Sequence, residues 1–217
     1  MDLLDSLRAE HQLIERVVGS LRTWAEAFAQ GNAPPADGRA FLRFFRLFAG
    51  DFHHAREELQ LCVALVKECG LPEARGPVFV VKAEHAEMAE QLSALEAALG
   101  AADGATVARV AKAYAHALWH HIDAENSVLF PESESRLVRD GVHQLPGRAP
   151  TAAELAAKQE GEALLERYPP FDDREVFRGD GCIMCPAYGV RCNGLEREWW
   201  TATEWEENLE RMSNASD

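Results

Sequence analysis

His121-Ile122-Asp123-Ala124-Glu125-Asn126-Ser127-Val128-Leu129-Phe130-Pro131 decides the fold of this chain. It sets a histidine and a glutamate four residues apart, and on a helix that spacing puts both side chains on one face. The same face carries Val107, Val110, Tyr114, Ala117, His121, Glu125 and Val128. That is the apolar stripe by which an amphipathic helix meets a core. Two titratable groups on an inward face need partners, because a buried polar group left unpaired costs about 1–3 kcal/mol.

Working outward, the same pattern recurs on three more stretches. A helix over about 2–30 has the seam Leu4, Leu7, His11, Ile14, Val18, Leu21, Ala25, Phe28. The Gly/Pro-rich run 31–38 breaks it. A second helix over about 38–69 is dense in phenylalanine (Phe41, Phe44, Phe45, Phe48, Phe52), with Gly70 and Pro72 as its stop. A third opens near Pro77 and has the seam Val78, Val81, His85, Met88, Leu92, Leu95, Leu99. The turn 100–104 leads into the fourth, which runs to about Phe130, where Pro131 bends it or begins a short new segment.

Four long amphipathic helices with short connections predict an all-α fold, an up-down-up-down antiparallel four-helix bundle over 1–135. In such a hairpin, residues at one height are equidistant from the turn. The midpoint of positions 11 and 53 is 32, that of 53 and 85 is 69, and that of 85 and 121 is 103. Each midpoint falls in or at a predicted turn. His11, His53, His85 and His121 are therefore expected at one level, one per helix. Helix axes about 8–10 Å apart let four inward side chains share a site.

The second helix offers two pairings at spacing four, His53 with Glu57 or His54 with Glu58. Aligned on Glu125, which Leu129 and Phe130 follow four and five residues later, Glu57 is followed by Leu61 and Cys62. The face Phe45, Ala49, His53, Glu57, Leu61, Leu65 favours the same choice. The expected metal ligands are then His11, His53, Glu57, His85, His121 and Glu125, with the two glutamates bridging a pair of ions. Arg56 and Glu58 are expected nearer the surface, and His54 behind the ligands or at the rim. His116 and His120 lie off the stripe, at the surface or rim, and Glu15 reads as a further ligand or, preferably, a surface charge. Imidazole and carboxylate without thiolate suit iron or manganese, and less specifically zinc.

The formal charge of −14 and a pI near 5.0 argue against a nucleic-acid or anionic-membrane surface. The first residues lack the basic and apolar runs of a signal peptide, and no stretch reaches transmembrane length. The expectation is a cytoplasmic protein with no nucleic-acid and no membrane partner, whose five cysteines serve as thiols or metal ligands.

His11, His53-His54-Ala55-Arg56-Glu57-Glu58, Glu84-His85 and His121-Ile122-Asp123-Ala124-Glu125 with Leu129-Phe130-Pro131 resemble the hemerythrin-like, or HHE cation-binding, domain family over about 1–135. The resemblance implies two iron ions, oxo- or hydroxo-bridged, that bind dioxygen or another small diatomic ligand. It implies roles in oxygen, iron or redox sensing or in protection. An alternative is a ferroxidase or an iron-donating repair protein for iron–sulfur centres. The five-histidine oxygen carriers have a His-xxx-His pair on the third helix. Here Val81 and Ala89 flank His85 at that spacing, which shifts the expectation from oxygen carriage to sensing or oxidative iron chemistry.

Residues 136–217 read as a helical, cysteine-containing extension. Thr151 with Glu154 is a capping-box signature for a helix over about 152–167. Cys182, Cys185 and Cys192 offer three ligands for a structural zinc, with His143 a conceivable fourth. Cys62 and Cys69 read as buried thiols. A last helix over about 195–212 carries Trp199, Trp200 and Trp205, expected to pack on the bundle or to serve a protein partner or self-association.

Overall fold

The computed structural model describes residues 1–171 and 199–214, with side chains as far as 209. Every regular element among them is helical. The first rod is α1 (Asp2–Ala29). The second, 35–69, starts at α2 (Pro35–Arg43), where Pro35 sits in the first turn and needs no donor. It continues through a wide π-helical stretch (Phe44–His54) and a second one (Glu57–Leu61) into α3 (Cys62–Cys69). Gly70 ends it in the left-handed conformation, φ 69°, which glycine adopts without a Cβ clash. The third rod is α4 (Gly76–Gly100). The fourth is α5 (Gly104–Ala124), capped by the Asp103 side chain on the Thr106 amide. It passes through a π-helical turn (Glu125–Leu129) into α6 (Phe130–Arg139) without a break at Pro131, which lies in the first turn of α6.

The core is two apolar clusters. One is aromatic and holds Trp24, Phe41, Phe44, Phe45, Phe48, Phe52 and Tyr114. The other is built on Leu3, Leu7, Leu61, Leu65, Val78, Val81, Leu129 and Phe130. Between them every rod places a histidine: His11, His53, His85 and His121 are 1–6% exposed. Along α1 and α4 the aliphatic cluster precedes the histidine and the aromatic one follows it; along the second and fourth rods the order is reversed. α1 and α4 both lie against α5.

Beyond residue 140 the chain turns back over these rods. Leu3 N–H donates to Leu145 O, tying the loop to the start of α1. The capping box of Thr151 and Glu154 opens α7 (Ala152–Arg167), which lies against the π-helical stretch Phe44–His54 and against α1 and α2. Gly161 allows that approach: a Cβ there would stand 2.2 Å from Cδ2 of Phe44. Arg167 and Tyr168 both bind Asp37.

The last helix differs from expectation. α8 (Ala202–Asn214) begins after a Thr201–Glu204 cap, so Trp199 and Trp200 precede it. Trp199 is buried at 4% in the aliphatic cluster, with the Arg136 guanidinium 5.2 Å over its ring. Trp205 lies under Arg75. Cys182, Cys185, Cys192 and positions 195–198 lie outside the described residues. Cys62 and Cys69 are buried free thiols, and His143 is exposed. Among the described residues no helix is long and apolar enough to cross a membrane.

Candidate metal centre

The polar layer between the two clusters holds seven inward donors in two overlapping groups. His11, His53, Glu57 and Glu125 form one; His54, Glu57, His85 and His121 form the other. The donor atoms of each group lie within 4.8 Å of one another. Glu57 and Glu125 are completely buried.

Each glutamate reaches both ends of the layer. Glu57 Oε1 lies 3.2 Å from His53 Nε2 and 3.8 Å from His11 Nε2, while its Oε2 lies 3.5 Å from His85 Nε2. Glu125 Oε2 lies 3.2 Å from His11 Nε2, and its Oε1 lies 3.3 Å from His121 Nε2. Close as these atoms are, none is aligned as a hydrogen bond. His11 Nε2 and both oxygens of each glutamate have no hydrogen-bond partner. Five such buried atoms, at about 1–3 kcal/mol each, are a heavy burden against a total stability of about 5–15 kcal/mol. Atoms that face one another at about 3 Å without sharing a proton are what two ligands of one ion look like, since each then stands about 2.0–2.2 Å from the metal. The donor set fits cations.

A second ring of side chains orients the imidazoles. Nδ1 of His53 donates to Glu10 at 2.8 Å, that of His85 to Glu58 at 2.8 Å, and that of His121 to Glu84 at 2.7 Å. His11 Nδ1 meets Asn126 Oδ1 at 3.0 Å. Each bond turns Nε2 inward, as outer partners of metal-bound histidines do. These outer residues were not anticipated as partners. Their signal is the dipeptide Glu-His, at 10–11 and again at 84–85: the glutamate serves the histidine of another rod, not its neighbour.

The electrostatics of the ion-free cluster follow. Burial disfavours the charged form of His53, yet Glu57 and Glu10 overcome it and push the ring up to about 10. His121 rises to about 9 against the same burial, held by Glu125 and Glu84. Burial raises the Glu57 carboxyl, but the surrounding histidines, His53 first, bring it down to about 2. His54 is held well below the usual imidazole value by burial and by the rings around it. Cys62 is pushed up to about 12 by burial and the two glutamates, so it remains a thiol.

Two expectations need correction. His54 is not at the rim: it is 8% exposed, its ring stacks 3.9 Å from that of His85, and its nitrogen belongs to the second group. In an α-helix His53 and His54 point about 100° apart. The π-helical stretch ending at His54 widens the turn, and such widening recurs at functional sites. Arg56 is not at the surface either. It is 2% exposed, bound by Glu10, Ser6 and the Phe52 carbonyl, with its guanidinium 3.9 Å over the Phe52 ring. Glu58 is half-exposed and serves His85. His116, His120 and Glu15 are half-buried outside the cluster.

A helical chain that buries imidazoles and carboxylates in paired, ion-sized groups belongs to the class of proteins that hold cations between helices. The particular family is settled by comparison. The family model described as hemerythrin HHE cation binding domain matches residues 2–133, and the chain belongs to that family. No curated protein and no solved structure matches the chain.

Proposed function

We propose that residues 1–135 are a non-haem di-iron centre in an up-down-up-down antiparallel four-helix bundle, with 136–217 a C-terminal extension of which α7 packs on it. The topology is supported by the alternation of the two apolar clusters along successive rods. The ligands are His11, His53, Glu57, His85, His121 and Glu125, with His54 completing the second group. The observation that carries this reading is the pair of orphaned carboxylates, Glu57 and Glu125, each facing a histidine of both groups.

Iron at these positions would supply one-electron chemistry and open positions for dioxygen or a similar small ligand. This chain's residues do the rest. Glu57 and Glu125 hold the charge, Glu10, Glu58 and Glu84 fix the ring orientations, and the two apolar clusters flank the layer on either side. Histidine supplied from the second rod also brings the imidazole count to five, although the third rod lacks its His-xxx-His pair. Donor number therefore does not weigh against reversible ligand binding, and sensing or protection through such binding is the function proposed.

The test is elemental analysis of the purified chain joined to absorption spectroscopy. About two irons per chain, with bands that change reversibly when the ferrous protein meets air or nitric oxide, are expected. Iron-free protein that takes up none from ferrous salt under anaerobic conditions would end the proposal. Net consumption of dissolved oxygen with continued ferrous oxidation would instead assign a ferroxidase.

A further inference from the structure

Between the second rod and α4 lies an open cleft of about 660 Å³ that ends at the histidine layer. It exists because the facing surfaces carry Gly50, Ala55, Ala86 and Ala89 where larger side chains would close it. Its two ends differ. One is lined by His54, Glu58, Lys82 and His85, with the exposed Leu59; the other by Phe45, Leu47, Met88, Leu92 and Tyr114, with Arg46, Asp51 and Ser93 also lining the cleft. From Lys82 to Ser93 on α4 the cleft follows eleven residues, about 16 Å at the α-helical rise. Its volume is in the ordinary range for a small-molecule site, about 300–1,000 Å³.

At the polar end one ring of the layer lacks the outer oxygen that the others have. His11, His53, His85 and His121 each have an outer oxygen on Nδ1, from Asn126, Glu10, Glu58 and Glu84. His54 is 8% exposed and meets the rings of His53, His85 and His121, with no outer oxygen on either nitrogen among the described residues. Its ring forms part of the cleft wall. Glu58, beside it, is already engaged by His85, and Lys82 adds a positive charge whose ion pair among the described residues, to the exposed Glu73, is long at 3.9 Å.

We infer that this cleft binds an amphiphilic monocarboxylate of medium chain length. Its carboxylate accepts from His54, in the role that Glu10, Glu58 and Glu84 play for the other rings, and it lies beside Lys82. Its tail covers Leu47, Met88, Leu92 and Tyr114. The site is distinct from the position of a diatomic ligand. It rests on the di-iron reading only in so far as that reading turns the other nitrogen of His54 to the cluster, and the cleft itself needs no ion.

The experiment is calorimetric titration of the full chain with decanoate, on preparations whose iron content has been measured. Saturable one-to-one binding is expected, with decan-1-ol roughly tenfold weaker or more, because it lacks the charge that strengthens the hydrogen bond. Ala89→Trp, at an exposed position inside the cleft, is expected to abolish the binding while leaving iron content and thermal midpoint unchanged. Absence of saturable uptake, equal affinity for the alcohol, or indifference to Ala89→Trp would each overturn the inference. Iron-loaded protein that fails to bind decanoate defeats this inference alone. Protein that takes up no iron from ferrous salt yet binds decanoate, with sensitivity to Ala89→Trp, sustains the cleft while the di-iron reading fails.

Discussion

The Glu84 carboxylate lies 2.7 Å from Nδ1 of His121, and the bond leaves only Nε2 of that ring to face the cluster. Burial raises the Glu84 carboxyl, but the bond to His121 outweighs it and keeps the group ionised. Glu10 stands in the same relation to His53, with one addition: it also holds the buried Arg56.

These two acids should therefore fail differently. Glu84→Ala is expected to lower metal affinity roughly 10–100-fold, with little change in the melting of the ion-free protein. Glu10→Ala removes the partner of a buried guanidinium as well, so it should cost stability too, up to about 3–5 kcal/mol. Competition titrations with a chelator and denaturant melts of both variants separate the cases. Equal stability losses would show that Arg56 is satisfied by Ser6 and the Phe52 carbonyl alone.

Glu57 tests the ions themselves. In the ion-free protein its two oxygens are buried without hydrogen-bond partners. Glu57→Leu leaves the protonated His53 ring without one of its two acids, and removing one partner of a buried charge pair costs up to about 3–5 kcal/mol. The variant is thus expected to melt below the ion-free wild type and to lose the rise in melting temperature that metal gives. For the wild type that rise reflects up to about 4 kcal/mol at a thousandfold excess of ligand over Kd. Chelation should reverse it. A variant that still gains stability from metal would remove Glu57 from the ligand set.

How much of this could be read from the chain depends on the kind of periodicity. His11, His85 and His121 sit on regular α-helical seams, and His53 is placed by its equal distance from the turns, so spacing brings the four to one depth, and the aromatic and aliphatic runs on either side can be read from the same seams. His54 could not be placed that way, because the π-helical stretch Phe44–His54 alters the turn just where it matters. Both buried glutamates begin a π-helical turn, Glu57–Leu61 and Glu125–Leu129. The shared pattern of a glutamate followed four residues later by leucine was visible; the widened backbone was not. Arg56 was misplaced because its burial depends on Glu10, Ser6 and Phe52, contacts that no local pattern encodes.

The raised values of His53 and His121 give a pH dependence with a definite sign. In the ion-free protein both rings gain acidic partners, so their contribution to stability is full below the ordinary imidazole value of 6.5. It is lost as the pH rises through about 9 to 10. At pH 7 both are protonated, yet a metal needs them neutral, so loading should release about two protons per chain. Calorimetric metal titrations in buffers of different ionisation enthalpy measure this number. Heats that do not depend on the buffer would rule out protonated histidines in the ion-free cluster.

Gly161 links the extension to the metal layer. Glycine inside a helix ordinarily costs about 1 kcal/mol against alanine, and Gly100, with open space around its Cβ position, should show that gain on Gly100→Ala. At Gly161 the sign should reverse. The added Cβ would meet Phe44 at 2.2 Å and 2.7 Å, a contact with an aromatic ring packed between Phe45 and Phe48 that cannot swing aside freely. Overpacking of this kind costs about 1–3 kcal/mol. Phe44 also opens the π-helical stretch that ends in His53 and His54, so displacement there should reach the ligands. Gly161→Ala is expected to lower the thermal midpoint by a few degrees and to weaken metal binding, where Gly100→Ala raises the midpoint and leaves binding alone. If Gly161→Ala melts higher than wild type, α7 does not brace the metal layer through Phe44.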